Sequence, residues 1–216
     1  MKTSVKVQLD LLTSRYPALA ECRESIAAAY GILECAYSEG NKLLICGNGG
    51  SASDSEHIVG ELMKGFCLRR TVSQDFARQL QQADPELGEV LSSNLQGALP
   101  AISLTGHPAL STAYLNDVIP ELTFAQQVNG LGAEGDVLLA ISTSGNSKNV
   151  LYAAVTAKAK GLKIIGLTGR QACRLSDLAD VCIHAPATET YKVQEYHLPV
   201  YHCLCLMLEQ KFFGEE

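Results

Sequence analysis

No stretch of the 216 residues gathers five basic side chains, and Lys plus Arg number 17 against 23 Asp plus Glu, for a formal net charge of −6. A polyphosphate surface such as DNA is therefore excluded as the expected partner. No apolar run approaches the ~18 residues of a membrane span. The opening "MKTSVKVQLDLLTSRYP" has no continuous apolar core, so a cytoplasmic location without a membrane is expected. None of the eight cysteines forms a C-x-x-C pair. Reduced core thiols are the expectation, and Cys203 and Cys205, two apart on a helix, face different ways and do not clamp a metal together. Fixed-period repeats and low-complexity linkers are absent as well. With 47% hydrophobic and 19% charged residues, the composition is that of one globular domain spanning 1–216.

Five short, nearly continuous apolar runs stand out: "KLLICG" (42–47), "PAISL" (100–104), "DVLLAIS" (136–142), "KIIGLTG" (163–169) and "DVCIHAP" (180–186). Runs of this kind predict strands buried on both faces of a parallel sheet. Helical stretches are expected before and between them: about 1–40 with a stop at Gly40, then 53–66, 110–131 with a break at Pro120, 146–160 and 171–178. The tail 190–213 reads as a long helix interrupted at Pro199. The alternation predicts an α/β three-layer sandwich around a five-stranded parallel sheet. Residues 67–99 are mixed and polar, about three times the usual length of such a connection. They read as an insertion, either a functional cover or a surface elaboration.

Two loops carry anion chemistry. In "GNGGSAS" (47–53) Asn48, Gly49, Gly50 and Ser51 let the backbone approach a ligand just ahead of a helix. In "STSGNS" (142–147), Ser142, Thr143, Ser144 and Ser147 can each donate to a phosphate oxygen beside another helix start. A helix cap needs one such residue, and here five of six positions qualify. Gly47, Gly49 and Ala52 fit G-x-G-x-x-A, but no acidic residue follows the second strand for a ribose, and no G-K-[ST] follows the glycines; no nucleotide cofactor is expected. His57 and Glu61, at i and i+4, project from one face of the helix that the first loop opens. A second cluster, Gln194, Glu195, His197 and His202, lies in "VQEYHLPVYH". Gln194 and His202 are eight apart, ~12 Å along a straight helix, far for two ligands of one centre unless a kink at Pro199 or a partner subunit closes the site. His197 reads as a packed side chain.

"CGNGGSASDSEH...E", "GDVLLAISTSGNSKNV", "KIIGLTG" and "VQEYHLPVYH" together resemble the sugar isomerase (SIS) domain, in its phosphoheptose isomerase branch. The resemblance implies a flavodoxin-like parallel sheet, a homotetramer with active sites between subunits, and isomerisation of sedoheptulose 7-phosphate to an aldose through an enediol. By the same resemblance, substrate is contacted by Asn48, Gly49, Gly50, Ser51, Asn116, Asp117, Ser142, Thr143, Ser144, Ser147 and Gln194. Glu61 and His202 are the acid/base pair, and His57, Glu61, Gln194 and His202 the ligands of a zinc ion. The branch carries an acidic residue where this chain has Tyr191, and a short connection where it has 67–99. The rival is a non-catalytic phosphosugar-binding protein, related to the branch that associates with the bacterial replication initiator; that branch lacks the acid/base pair kept here as Glu61 and His202.

Overall fold

The computed structural model describes residues 3–214. In chain order the elements are α1 (Thr3–Arg15), α2 (Arg23–Ser38), β1 (Leu43–Cys46), α3 (Gly50–Met63), α4 (Gln74–Ala83), α5 (Pro85–Asn94), β2 (Ala101–Ser103), α6 (Pro108–Asp117), α7 (Thr123–Leu131), β3 (Val137–Ile141), α8 (Lys148–Ala159), β4 (Lys163–Thr168), α9 (Arg174–Leu178), β5 (Val181–His184) and α10 (Thr190–Phe212). The five strands form one sheet in the order β2-β1-β3-β4-β5, with every pairing parallel. Each of the five apolar runs of the sequence is a strand.

Alternation along each strand builds two cores. On β1, Leu43 and Ile45 join the core formed with α1, α2, α3 and α10, while Leu44 and Cys46 join the one formed with α7, α8 and α9. Side chains of period two feed opposite faces of a sheet, and helices on both faces make such a strand apolar throughout. All eight cysteines are free thiols, five of them buried. Among the described residues no helix is long and apolar enough to cross a membrane.

Two sequence expectations are corrected. The tail helix is not interrupted: α10 runs for 23 residues through Pro199, with eleven buried residues. A proline inside a helix costs ~3 kcal/mol, and burial at ~25 cal/mol per Å2 along so many side chains outweighs it. The stretch expected as a helix over 171–178 is helical only from Arg174 to Leu178. Residues 67–99 are ordered as a hairpin of α4 and α5. Ser73 caps α4 through Phe76 N–H, and Asp84 caps α5 through the N–H groups of Glu86 and Leu87. An antiparallel bridge between Thr71 and Gln96 closes the hairpin's base.

That base is pinned by a buried ion pair. The Glu209 carboxylate accepts from the backbone N–H of Phe66, Cys67 and Leu68 and from Arg70 Nε, at 2.8 to 3.2 Å. Arg70 donates onward to the carbonyls of Leu62 and Glu61, at 2.8 and 3.0 Å. Both side chains are 0% exposed. A buried charge is tolerated only when its hydrogen-bonding capacity is filled in this way. Glu209→Gln should therefore cost roughly 3 kcal/mol or more of stability, because Arg70 keeps its charge and loses its counterion; the shift in midpoint of a denaturant titration measures it.

His197 is buried, with Nε2 3.3 Å from the Thr168 carbonyl oxygen. Burial pushes its imidazole down to about 4 from an ordinary 6.5. The unfolded chain then binds the extra proton first, so this group's stabilisation is present above pH 6.5 and is lost as the pH falls toward 4. Between pH 7 and pH 5 the loss should be roughly 2 kcal/mol. Melting curves of the wild type and His197→Gln at the two pH values should show a steeper decline for the wild type.

Candidate functional site

The chain leaves β1 for β2 on one side, and β3 lies on the other, so the order reverses between β1 and β3. The loops beyond the carboxyl ends of these two strands frame the crevice where ligands of open α/β sheets bind. They are the two loops singled out in the sequence. Asn48 and Asn149 join them by reciprocal amide hydrogen bonds of 2.9 and 2.8 Å. Between them is a cleft of about 310 Å3, lined by Asn48, Gly49, Gly50, Ser51, Ser142, Thr143, Ser147 and, from α10, Thr190 and Gln194.

Helices α3 and α8 both begin at this cleft, and neither has a side-chain cap: Gly49 has none to offer, and Ser147 makes no cap bond. The hydroxyl of Ser147 pairs instead with that of Ser142, at 3.0 Å. The Ser147 hydroxyl is thus turned to Ser142 rather than to the start of α8. Helix-start N–H groups, two helix dipoles and hydroxyls converge on a space whose lining includes no Lys or Arg, an arrangement whose chemistry suits an anion. Gly49 takes φ +57°, and a Cβ on Gly50 would lie 2.5 Å from Gln194 Nε2. The turn requires Gly49, and a side chain at Gly50 would displace the Gln194 amide from the loop. Ser51 and Ser142 are buried, Thr143 is half-buried, and exposed Ser144 accepts from the Asn146 N–H at 3.2 Å. Asn116 and Asp117 are exposed at the end of α6, bonded to each other at 2.9 Å, and do not line this cleft.

The acid/base candidates meet between α3 and α10. His57 Nε2 is 3.2 Å from Glu61 Oε1, and Glu61 Oε2 accepts from Lys64 Nζ at 3.2 Å. The His202 ring stands edge-on to that of His57, with centroids 5.0 Å apart, and its Nε2 is buried without a partner. Burial first, and then the neighbouring His57, push the His202 imidazole down, while Glu61 opposes them. His57 and His202 thus meet within one chain. Gln194, two turns earlier on α10, stands against Gly50 at the anion cleft. The four expected zinc ligands are not gathered: among the described residues no three His, Cys, Asp or Glu side chains converge on a metal position, and the facing atoms of His57 and Glu61 are spent on each other. The donor types suit zinc, the arrangement does not, and no step below is routed through a metal.

Sequence reasoning passed over Tyr201 and Asp54. His57 Nδ1 lies 3.0 Å from the Tyr201 hydroxyl, which donates to Asp54 Oδ1 at 3.3 Å. Burial, helped by the nearby Asp54 charge, pushes the Tyr201 phenol up, so it keeps its hydrogen. Asp54 shares the His57 face of α3, three residues earlier, which was a usable signal; nothing in the spacing of Tyr201 marks it. Glu195 is exposed and Tyr191 is 60% exposed.

The SIS domain family matches residues 102–207. The phosphoheptose isomerase of Rhodospirillum rubrum is 37% identical over 97% of both chains. Among solved structures, a phosphoheptose isomerase from Francisella tularensis has a TM-score of 0.70 and 30% identity, covering 97% of this chain and all of that one. A phosphoheptose isomerase from Neisseria gonorrhoeae has a TM-score of 0.68 and 29% identity over 92% and 90% of the two chains. The fold accords with these likenesses, and the chain belongs to the phosphoheptose isomerase family of SIS-domain proteins.

Proposed function

We propose that this chain is an aldose-ketose isomerase that converts sedoheptulose 7-phosphate to the corresponding heptose 7-phosphate aldose through an enediol. The observation that carries the reading is the division of α10: Gln194 at an anion cleft, and His202, ~12 Å further along the helix, at a carboxylate–imidazole cluster. A sugar anchored by its phosphate reaches from one to the other.

The phosphate binds to the N–H groups at the starts of α3 and α8 and to the hydroxyls of Ser51, Ser142, Thr143 and Ser147. Glu61 takes a proton from C1 of the ketose. The C–H electron pair becomes the C1–C2 double bond as the carbonyl oxygen on C2 takes up a proton, giving the enediol. Return of a proton to C2, with loss of the one on O1, leaves the aldose. His202, a neutral imidazole, exchanges protons with the two oxygens. The non-catalytic alternative is not favoured: relatives across the whole chain are isomerases by name, and Glu61 and His202 are both in place.

Assembly as a homotetramer in the cytoplasm belongs to the same proposal. Its support is apolar side chains left open on the monomer in two places, Leu87 and Val90 on α5 and the adjacent Val118 and Ile119 just after α6, all more than half exposed. Asn116 and Asp117 adjoin the second of these, so a neighbouring subunit's cleft is where they would meet substrate.

Glu61→Gln should abolish isomerisation, by a factor of ~100 or more, while phosphosugar binding measured by calorimetry is retained; loss of binding as well would make Glu61 structural. In deuterium oxide the wild type should wash label into C1 of sedoheptulose 7-phosphate as aldose forms, read by NMR. Binding of the ketose phosphate without exchange would overturn the isomerase reading.

A further inference from the structure

Past Thr143 and Thr190 the cleft continues into a second recess of about 100 Å3, which those two residues share and which Ser144, Arg170, Gln171 and Thr188 wall on its other sides. Its floor is closely packed backbone. The Gly169 N–H donates to the Thr143 carbonyl at 3.0 Å, and the Arg170 N–H to that of Ala187 at 2.9 Å. A Cβ on Gly169 would lie 2.9 and 3.0 Å from those same two oxygens, so this close approach needs a glycine, and the recess is fixed to the second loop. Charge separates the two spaces: the cleft has no Lys or Arg in its lining, and the recess has Arg170. The Arg170 Nη2 donates to Glu21 Oε1, at 2.9 Å, on the turn Pro17–Cys22. Both side chains are more than half exposed, and a pair so exposed holds weakly. The carboxylate beside the recess, Glu189, is already matched: Lys192 Nζ donates to it at 2.7 Å and the Thr188 hydroxyl at 3.2 Å.

We infer that the cleft and the recess together take a diphosphate group, one phosphoryl among the hydroxyls and helix starts of the cleft and the other on Arg170. The inference rests on the phosphate reading of the cleft and adds a competing ligand to it. The two phosphoryl groups of a diphosphate share one oxygen, so they sit on either side of Thr143, which borders both spaces. The recess is the size of one such group and too small for a sugar ring. Its donors are the Arg170 guanidinium, the Gln171 amide and the hydroxyls of Thr190 and Ser144. The Ser144 oxygen accepts from the Asn146 N–H and keeps its own hydrogen to give. A phosphoryl group offers a guanidinium two parallel hydrogen bonds in place of the single one to Glu21, and so draws Arg170 away from it. A phosphate monoester fills the cleft alone and leaves Arg170 with Glu21. A bound diphosphate stands where the phosphate of the sugar would, so it excludes the ketose phosphate. Its source is either free pyrophosphate or the end of a nucleoside diphosphate.

The test is isothermal titration calorimetry of the full chain with inorganic phosphate, pyrophosphate and ADP, in buffer free of divalent metal. Pyrophosphate should bind ~10-fold or more tightly than phosphate, and Arg170→Gln should bring the two within about twofold of each other. Glu21→Gln releases the guanidinium and should widen the gap. Ser142→Ala, in the cleft, should weaken both ions together. A gain over phosphate that ADP shares assigns the nucleotide as the source; a gain with pyrophosphate alone assigns the free ion. Equal affinities of the wild type for phosphate and for both diphosphates, a gap that survives Arg170→Gln, or pyrophosphate binding untouched by Ser142→Ala would overturn the inference. In the first of these cases the phosphate reading of the cleft stands, because phosphate still binds. Failure of phosphate itself to bind would overturn that reading, and this inference with it.

Discussion

The buried Glu209 carboxylate holds the parts of this protein in register. It sits on α10, accepts from three successive backbone N–H groups just beyond α3 and from the Arg70 guanidinium, and Arg70 in turn donates to two carbonyls in the last turn of α3. The two helices so tied carry every acid/base candidate: Asp54, His57 and Glu61 on one, Tyr201 and His202 on the other. One of the Arg70 bonds ends on the backbone of Glu61 itself. In a protein interior, a charge deprived of its partner costs more than the pair contributes when intact. The geometry of the site is therefore coupled to the folding of the whole. The hairpin of α4 and α5 starts from the same knot, which is how an exposed pair of helices is attached to the domain without a core of its own.

The phosphate site proposed for this acidic chain has no Lys or Arg in its lining. An acidic protein that gathered lysines around a small anion would hold it by long-range attraction, which salt screens. Two helix starts and a ring of hydroxyls would act instead at hydrogen-bonding distance and in fixed directions. The cost appears in the backbone, with Gly49 at positive φ. The apolar sheet beneath makes this affordable by holding β1 and β3 side by side, so that two loops a hundred residues apart form one cleft.

The strands could be read from the chain because a parallel sheet covered on both faces demands unbroken apolar runs. The loops could be read because glycines and hydroxyls at strand ends have few other uses. The hairpin was harder. Its caps, Ser73 and Asp84 ahead of Pro85, are ordinary helix-start signals, but α4 has no buried residue and α5 only Gly88, so the stretch reads as polar surface rather than as a core-facing helix. Pro199 misled in the opposite direction, because a local breaker was outweighed by the packing of a helix buried along most of its length. Arg70 and Glu209, 139 residues apart, read as ordinary surface charges until the fold puts them together.

The sequence alone determined the class of the fold, the two anion loops and the pairing of His57 with Glu61, since each depends on neighbours within a strand, a turn or a helix. Tertiary structure decided which groups share a site. It sent Gln194 to the cleft and His202 to His57, so that Gln194 stands apart from the other expected metal ligands, and set Tyr201 and Asp54 behind the histidine. Those outcomes depend on how α10 lies across α3, and that is fixed by the shape of a core and by one buried ion pair, neither of which has a local signature in the chain.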